Sequence, residues 1–214
     1  MKTPARRGRP PSYDRDEVLT RAANLFRRQG YEATSLDDLG AAMGMNRPSL
    51  YGAFGDKRAL YRAVLERQRA AGAAAMAALL SPELPLRDGL RAVYAAALDA
   101  YFAAGEEAEG CLPIGTGVAG AVTDRELRAV VRESLAGQDR AFEARFREAV
   151  ARGELPPDAD PVTRGMLAAA VLQSLSIRSR TGEGRPSLER LAAAAVDSLC
   201  AESCAGARET AGRG

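Results

Sequence analysis

Four polar side chains stand close together after a Gly-Met pair: Asn46, Arg47, Ser49 and Tyr51. An arginine offers two parallel N–H donors that match O6 and N7 of guanine, and asparagine offers a donor and an acceptor that match adenine. Arg47 and Asn46 are therefore candidate base readers, with Ser49 beside them and Tyr51 offering a hydroxyl on the same side. Thr34 and Ser35 stand at one expected helix start and Lys57 at another, where unpaired backbone N–H groups favour an anion such as phosphate. The N-terminal Arg6, Arg7 and Arg9, set among Gly and Pro, form a basic arm suited to an adjacent minor groove.

A second set has a different chemistry. Tyr94, Leu98, Tyr101, Phe102, Phe142, Phe146, Met166 and Gln173 combine large apolar surfaces with a few polar atoms, the makeup of a small-molecule cavity. The same spacing also suits plain helix core. Cys111, in Gly110-Cys111-Leu112-Pro113-Ile114, belongs with this set either as a small buried residue or as a reactive thiol. Its sequence neighbours argue against a thiolate, since Glu106, Glu107 and Glu109 supply only negative charge. Cys200 and Cys204, lacking a third ligand, make a poor metal site, and no metal or cofactor is expected.

Helices must position both sets. Asp14 caps a first helix whose Val18, Ala22, Leu25 and Phe26 recur on one face, and Gly30 ends it. Thr34 is the expected cap of a short second helix carrying Leu36, Leu39 and Met43, stopped by Gly44. Asn46 caps a third, which tolerates Pro48 in its first turn and buries Leu50 and Phe54. Asp56 opens a fourth, running to about residue 80. Later helices are expected over about 86–104, 115–121, 124–153, 161–180 and 187–200. Two short helices around a glycine turn, the second with a polar start, make a helix-turn-helix, whose second helix lies in the major groove of DNA.

Composition supports an all-α reading, for Ala, Leu, Arg and Glu dominate the 214 residues. Charge is uneven: residues 1–70 hold 14 Lys and Arg against 8 Asp and Glu, whereas residues 71–214 hold 16 against 20. The head is thus +6 and the remainder −4 within a net charge of +2, so a polyanion partner meets the head. The complete absence of histidine removes Ser-His-Asp and Cys-His catalysis and most zinc sites, and the chain is not expected to be an enzyme. No apolar run is long enough to span a membrane, the basic start lacks the apolar stretch of a secretory signal, and three cysteines do not suggest a disulfide framework. A cytoplasmic setting is expected.

The run Gly30-Tyr31-Glu32-Ala33-Thr34-Ser35-Leu36-Asp37-Asp38-Leu39, then Gly44 to Tyr51, then Phe54-Gly55-Asp56-Lys57, resembles the TetR family of bacterial transcriptional regulators. The resemblance covers about residues 12–70. It implies about nine helices, a homodimer formed by the last two, a ligand cavity in the body, and repression of a palindromic operator that ligand relieves. Pro48 departs from the Gly common at that position and removes one backbone donor. The expected organisation is a flexible arm (1–12), a helix-turn-helix domain (13–58), a ligand-binding and dimerisation domain (59–201) and a disordered tail (202–214). Small residues in the last two helices, Ala168 to Ala170 and Ala192 to Ala195, suit close helix packing against a twin. Two rivals stand beside this reading: a repressor switched by thiol chemistry at Cys111, and a helical enzyme or ligand carrier with a vestigial head.

Overall fold

A computed structural model describes residues 13–103, 105 and 110–201. Among them the chain forms nine α-helices and one π-helical turn, with no strand. The helices are α1 (Arg15–Gln29), α2 (Leu36–Met43), α3 (Arg47–Phe54), α4 (Lys57–Leu79), α5 (Leu86–Tyr101), α6 (Val118–Ala121), α7 (Arg125–Ala151), α8 (Pro161–Arg180) and α9 (Arg185–Leu199). The π turn, Pro113–Gly117, runs directly into α6, where sequence periodicity suggests only one short helix. The chain divides into two compact units that meet between Val64 and Leu65, inside α4.

In the first unit each of α1, α2 and α3 begins with a side chain that accepts backbone N–H groups, satisfying donors a helix start leaves open. Asp14 accepts from Asp16 N at 2.8 Å, and Asn46 Oδ1 from Ser49 N at 2.9 Å. Ser35, not Thr34, caps α2: its Oγ accepts from Asp38 N at 3.1 Å while the Asp38 carboxylate accepts from Ser35 N at 3.0 Å. Thr34 is buried and donates its hydroxyl to the Gly30 carbonyl at 2.6 Å, which ties the end of α1 to the start of α2. The turn between α2 and α3 uses Gly44 at φ +66°, a left-handed conformation that a side chain would strain. Leu39, Leu50 and Phe54 lie inside, with Leu36 only half-buried. Phe26 of α1 meets Tyr61 of α4 edge-on at 4.8 Å.

The second unit is larger and its core is continuous, built from Met76 and Leu80 at the end of α4 and from α5, α7, α8 and α9. Phe142 and Phe146 of α7 are wholly buried, and Tyr94 of α5 donates its hydroxyl to the Ala168 carbonyl of α8 at 3.0 Å. Arg145 sits on the same inward stripe of α7 as Phe142 and Phe146. Its Nη2 donates to the Leu84 carbonyl at 2.8 Å and to Glu154 at 3.0 and 3.1 Å. Glu154 also accepts from Leu86 N, so buried Arg145 together with Glu154 joins the segments on either side, at Leu84 and after α7, to the start of α5. No described helix is long and apolar enough to cross a membrane.

Candidate nucleic-acid interface

Helix α3 is anchored by Leu50 and Phe54, and Arg47, Ser49 and Tyr51 stay exposed. Tyr51 keeps 48% of its surface, unusual for a large aromatic ring with no binding role. The guanidinium of Arg47 forms a two-bond fork to Asp37 of α2: Nε donates to Oδ1 at 2.7 Å and Nη2 to Oδ2 at 2.6 Å. The pairing holds the Asp37 carboxyl below its ordinary range, chiefly through these hydrogen bonds, and raises Arg47 further above its own.

Other candidates change role. Asn46 lends its amide oxygen to the α3 cap, accepting from Ser49 N, and keeps its NH2 free of that bond. Thr34 is withdrawn from the surface by its bond to Gly30, contrary to its expected place as a phosphate anchor. Ser35 is exposed but committed to Asp38, to which its hydroxyl also donates at 2.6 Å. Lys57 is half-buried, with Nζ 4.5 Å above the Tyr31 ring and 3.4 Å from the Glu32 carbonyl. Arg6, Arg7 and Arg9 lie outside the described residues, as do Cys204 and the tail. Asp37 was missed by sequence reasoning because its partner is ten residues away; the signal was an acid in the first turn of α2 beyond the one needed for the cap.

In the second unit, Tyr94, Leu98, Tyr101, Phe142 and Phe146 come together in one buried cluster, with Phe102 and Cys111 half-buried against it. Burial lifts the phenols of Tyr94 and Tyr101 well above their ordinary range. Gln173 donates to Gln138 at 3.5 Å, joining α8 to α7. Met166 does not belong to this set: it is 57% exposed, because Gly165, Ala168, Ala169 and Leu172 occupy the inward stripe of α8. It shares the outer surface with Val162, Leu167 and Ile177, all exposed. An open depression along α7, lined by Arg140, Glu143, Ala144, Arg147, Glu148 and Ala151, includes none of the aromatic candidates. Cys111 donates its backbone N–H to Ser176 Oγ at 2.8 Å. Arg180, distant in sequence, lays its guanidinium against the π turn that follows this cysteine: a Cβ added at Gly115 would stand 3.3 Å from Arg180 Nη1. The positive charge missing from the neighbouring sequence is thus brought to the turn by the fold.

A capped helix-turn-helix in one unit and a helical body in the other define a class of DNA-associated regulators. The model for bacterial regulatory proteins of the tetR family matches residues 18–64, and that for the Tetracyclin repressor-like C-terminal domain matches residues 87–195. The HTH-type transcriptional repressor ComR of Escherichia coli (strain K12) is 35% identical over 185 residues, spanning 86% of this chain and 87% of that protein. BdcR, an HTH-type transcriptional repressor of the same organism, is 30% identical over 189 residues, 88% of this chain and 89% of its own. A cysteine variant of the TetR family regulator CifR, solved with 26-base-pair double-strand operator DNA, superposes with a TM-score of 0.77 at 29% identity. That match covers 88% of this chain and 98% of the CifR chain. The chain belongs to the tetR family of bacterial regulatory proteins.

Proposed function

We propose that this regulator is a repressor that reads a palindromic operator through α3 and is released by a small molecule bound in its body. The observation that carries the reading is the exposed start of α3, where Arg47, Ser49 and Tyr51 project from a helix held by Leu50 and Phe54. Residues 13–58 form the DNA-binding domain in this reading, with Arg6, Arg7 and Arg9 as a minor-groove arm. The repressors ComR and BdcR and the operator complex of CifR support it.

The active form is a homodimer. Val162, Met166 and Ile177 follow one another along α8 and leave apolar surface open to solvent, and Ala193 and Ala194 are exposed on α9. Burying that face against its twin generates two-fold symmetry, and heads about 34–36 Å apart meet successive major grooves. An Ile177→Arg variant is expected to sediment as a monomer where the wild type is a dimer.

The inducer is at least partly apolar and enters the cluster of Tyr94, Leu98, Tyr101, Phe142 and Phe146, with the tyrosine hydroxyls orienting it. Coupling to DNA runs through α4, which starts in the unit that holds α3. Inside the second unit, the π turn presses on that helix: a Cβ at Gly117 would lie 3.6 Å from Leu65. A second reading places the switch at Cys111, and the approach of Arg180 to the π turn that follows it favours this. Alkylation then releases DNA, and Cys111→Ser abolishes the response.

The test is selection of bound duplexes from a random pool, with Arg47→Ala in parallel. A recovered palindrome, relaxed at one position in the variant by about tenfold or more, supports the reading. Binding that enriches no sequence and fades uniformly with salt overturns it.

A further inference from the structure

We infer that Asp37 is a specificity-determining residue: it buttresses Arg47 from α2, so that the guanidinium faces the operator in one orientation. This rests on the DNA-reading role proposed for α3.

Two adjacent carboxylates in α2 divide the labour. Asp38 completes the cap of α2 by accepting from Ser35. The cap thus has its acid, and Asp37 reaches across to the start of α3 instead. Its two bonds use Nε and Nη2, the side edge of the guanidinium. The end edge, formed by Nη1 and the outer hydrogen of Nη2, points away from Asp37 with two parallel donors. Those are the donors that O6 and N7 of guanine accept. Arg47 can therefore keep the fork to Asp37 and read guanine at the same time.

An unbuttressed arginine has many rotamers and reaches phosphates as readily as bases, so it adds affinity without adding discrimination. The carboxylate also repels nearby phosphates, which weakens attachment at any sequence. Asp37 thus lowers non-specific binding while sharpening recognition at one base pair. A residue that only stabilised the head would change both together.

The experiment measures binding of the full-length wild type, Asp37→Asn, Arg47→Ala and the double variant. The probes are the selected operator and duplexes altered at each single position, at several salt concentrations. Asp37→Asn is expected to lose about tenfold in discrimination at the base pair that Arg47→Ala also relaxes, and at no other. Its non-specific binding tightens, with a salt dependence steeper by about one counterion. In the Arg47→Ala background, Asp37→Asn causes no further loss at that position, and thermal melting of the single variant is unchanged. Unaltered discrimination, or equal weakening at every position, overturns the inference and leaves the DNA-reading role intact. A wild type that enriches no sequence overturns that role, and the inference falls with it.

Discussion

In the unit that ends at Val64, α2 and α3 are eight residues each and both start with a side-chain cap, as does the fifteen-residue α1. In the unit that starts at Leu65, α7 and α8 run 27 and 20 residues and are capped by Asp124 and Asp160, whereas α5 and α9, of 16 and 15 residues, begin at Pro85 and Gly184 with no side-chain cap bond. An eight-residue helix is too short to persist alone, so its end groups and turns must be specified one by one. A helix of about four turns with a continuous buried face tolerates an open end, as α5 and α9 do. Small polar details therefore govern the DNA-reading unit, and bulk burial governs the body.

Four substitutions test that contrast, in descending order of cost. Phe142→Ala removes a fully buried ring from the body and should cost about 3–5 kcal/mol in denaturant unfolding. An effect below about 1 kcal/mol would mean that the aromatic cluster is loosely packed. Arg145→Met is next. It strips Glu154 and the Leu84 carbonyl of their donor, costing about 2 kcal/mol. Two nitrogens of Arg145, Nε and Nη1, are buried with no hydrogen-bond partner, so an apolar replacement suits the site once the charge opposite is gone. Adding Glu154→Gln should accordingly recover most of the loss.

In the head one methyl group suffices. A Cβ at Gly40 would stand 2.7 Å from the Met45 carbonyl oxygen, in the turn between α2 and α3. Gly40→Ala should cost about 1–3 kcal/mol and displace α3, measured as weaker operator binding at a position remote from any base. Smallest is Ser35→Ala, about 1 kcal/mol from loss of a cap. Its signature lies in acid. The Ser35 hydroxyl and backbone N–H hold the Asp38 carboxyl below its ordinary value. The wild-type box therefore stabilises fully above the unfolded value of about 3.9 and fades as pH falls below it. Ser35→Ala should flatten that acid limb; an unchanged limb would assign it to other carboxylates.

Much of the head was legible because its signals are local. Asn46 as a cap and Gly44 as a stop each depend on atoms within four residues. Even so, Thr34 and Ser35 are chemically alike as caps. What separated them was the Gly30 carbonyl, which takes the Thr34 hydroxyl once α1 ends beside it. Asn46 shows that one residue type can serve two ends, since its amide oxygen also caps α3. In the body, the aromatic positions were legible as a set, whereas Met166 was misplaced because hydrophobicity does not say which way a residue at the margin of a helical stripe will face. Arg145 carried a readable signal, a charge three residues from Phe142 on the apolar face.

The all-helical fold class, the helix-turn-helix and its family were readable from residue order alone, because propensities, caps and glycine stops act over a few residues of chain. Packing alone set the fork of Arg47 to Asp37, the approach of Arg180 to the π turn after Cys111, and the pairing of buried Arg145 with Glu154. These pairings join residues from about ten to seventy positions apart. The distance between such charges is set by how helices pack, and no local pattern encodes it.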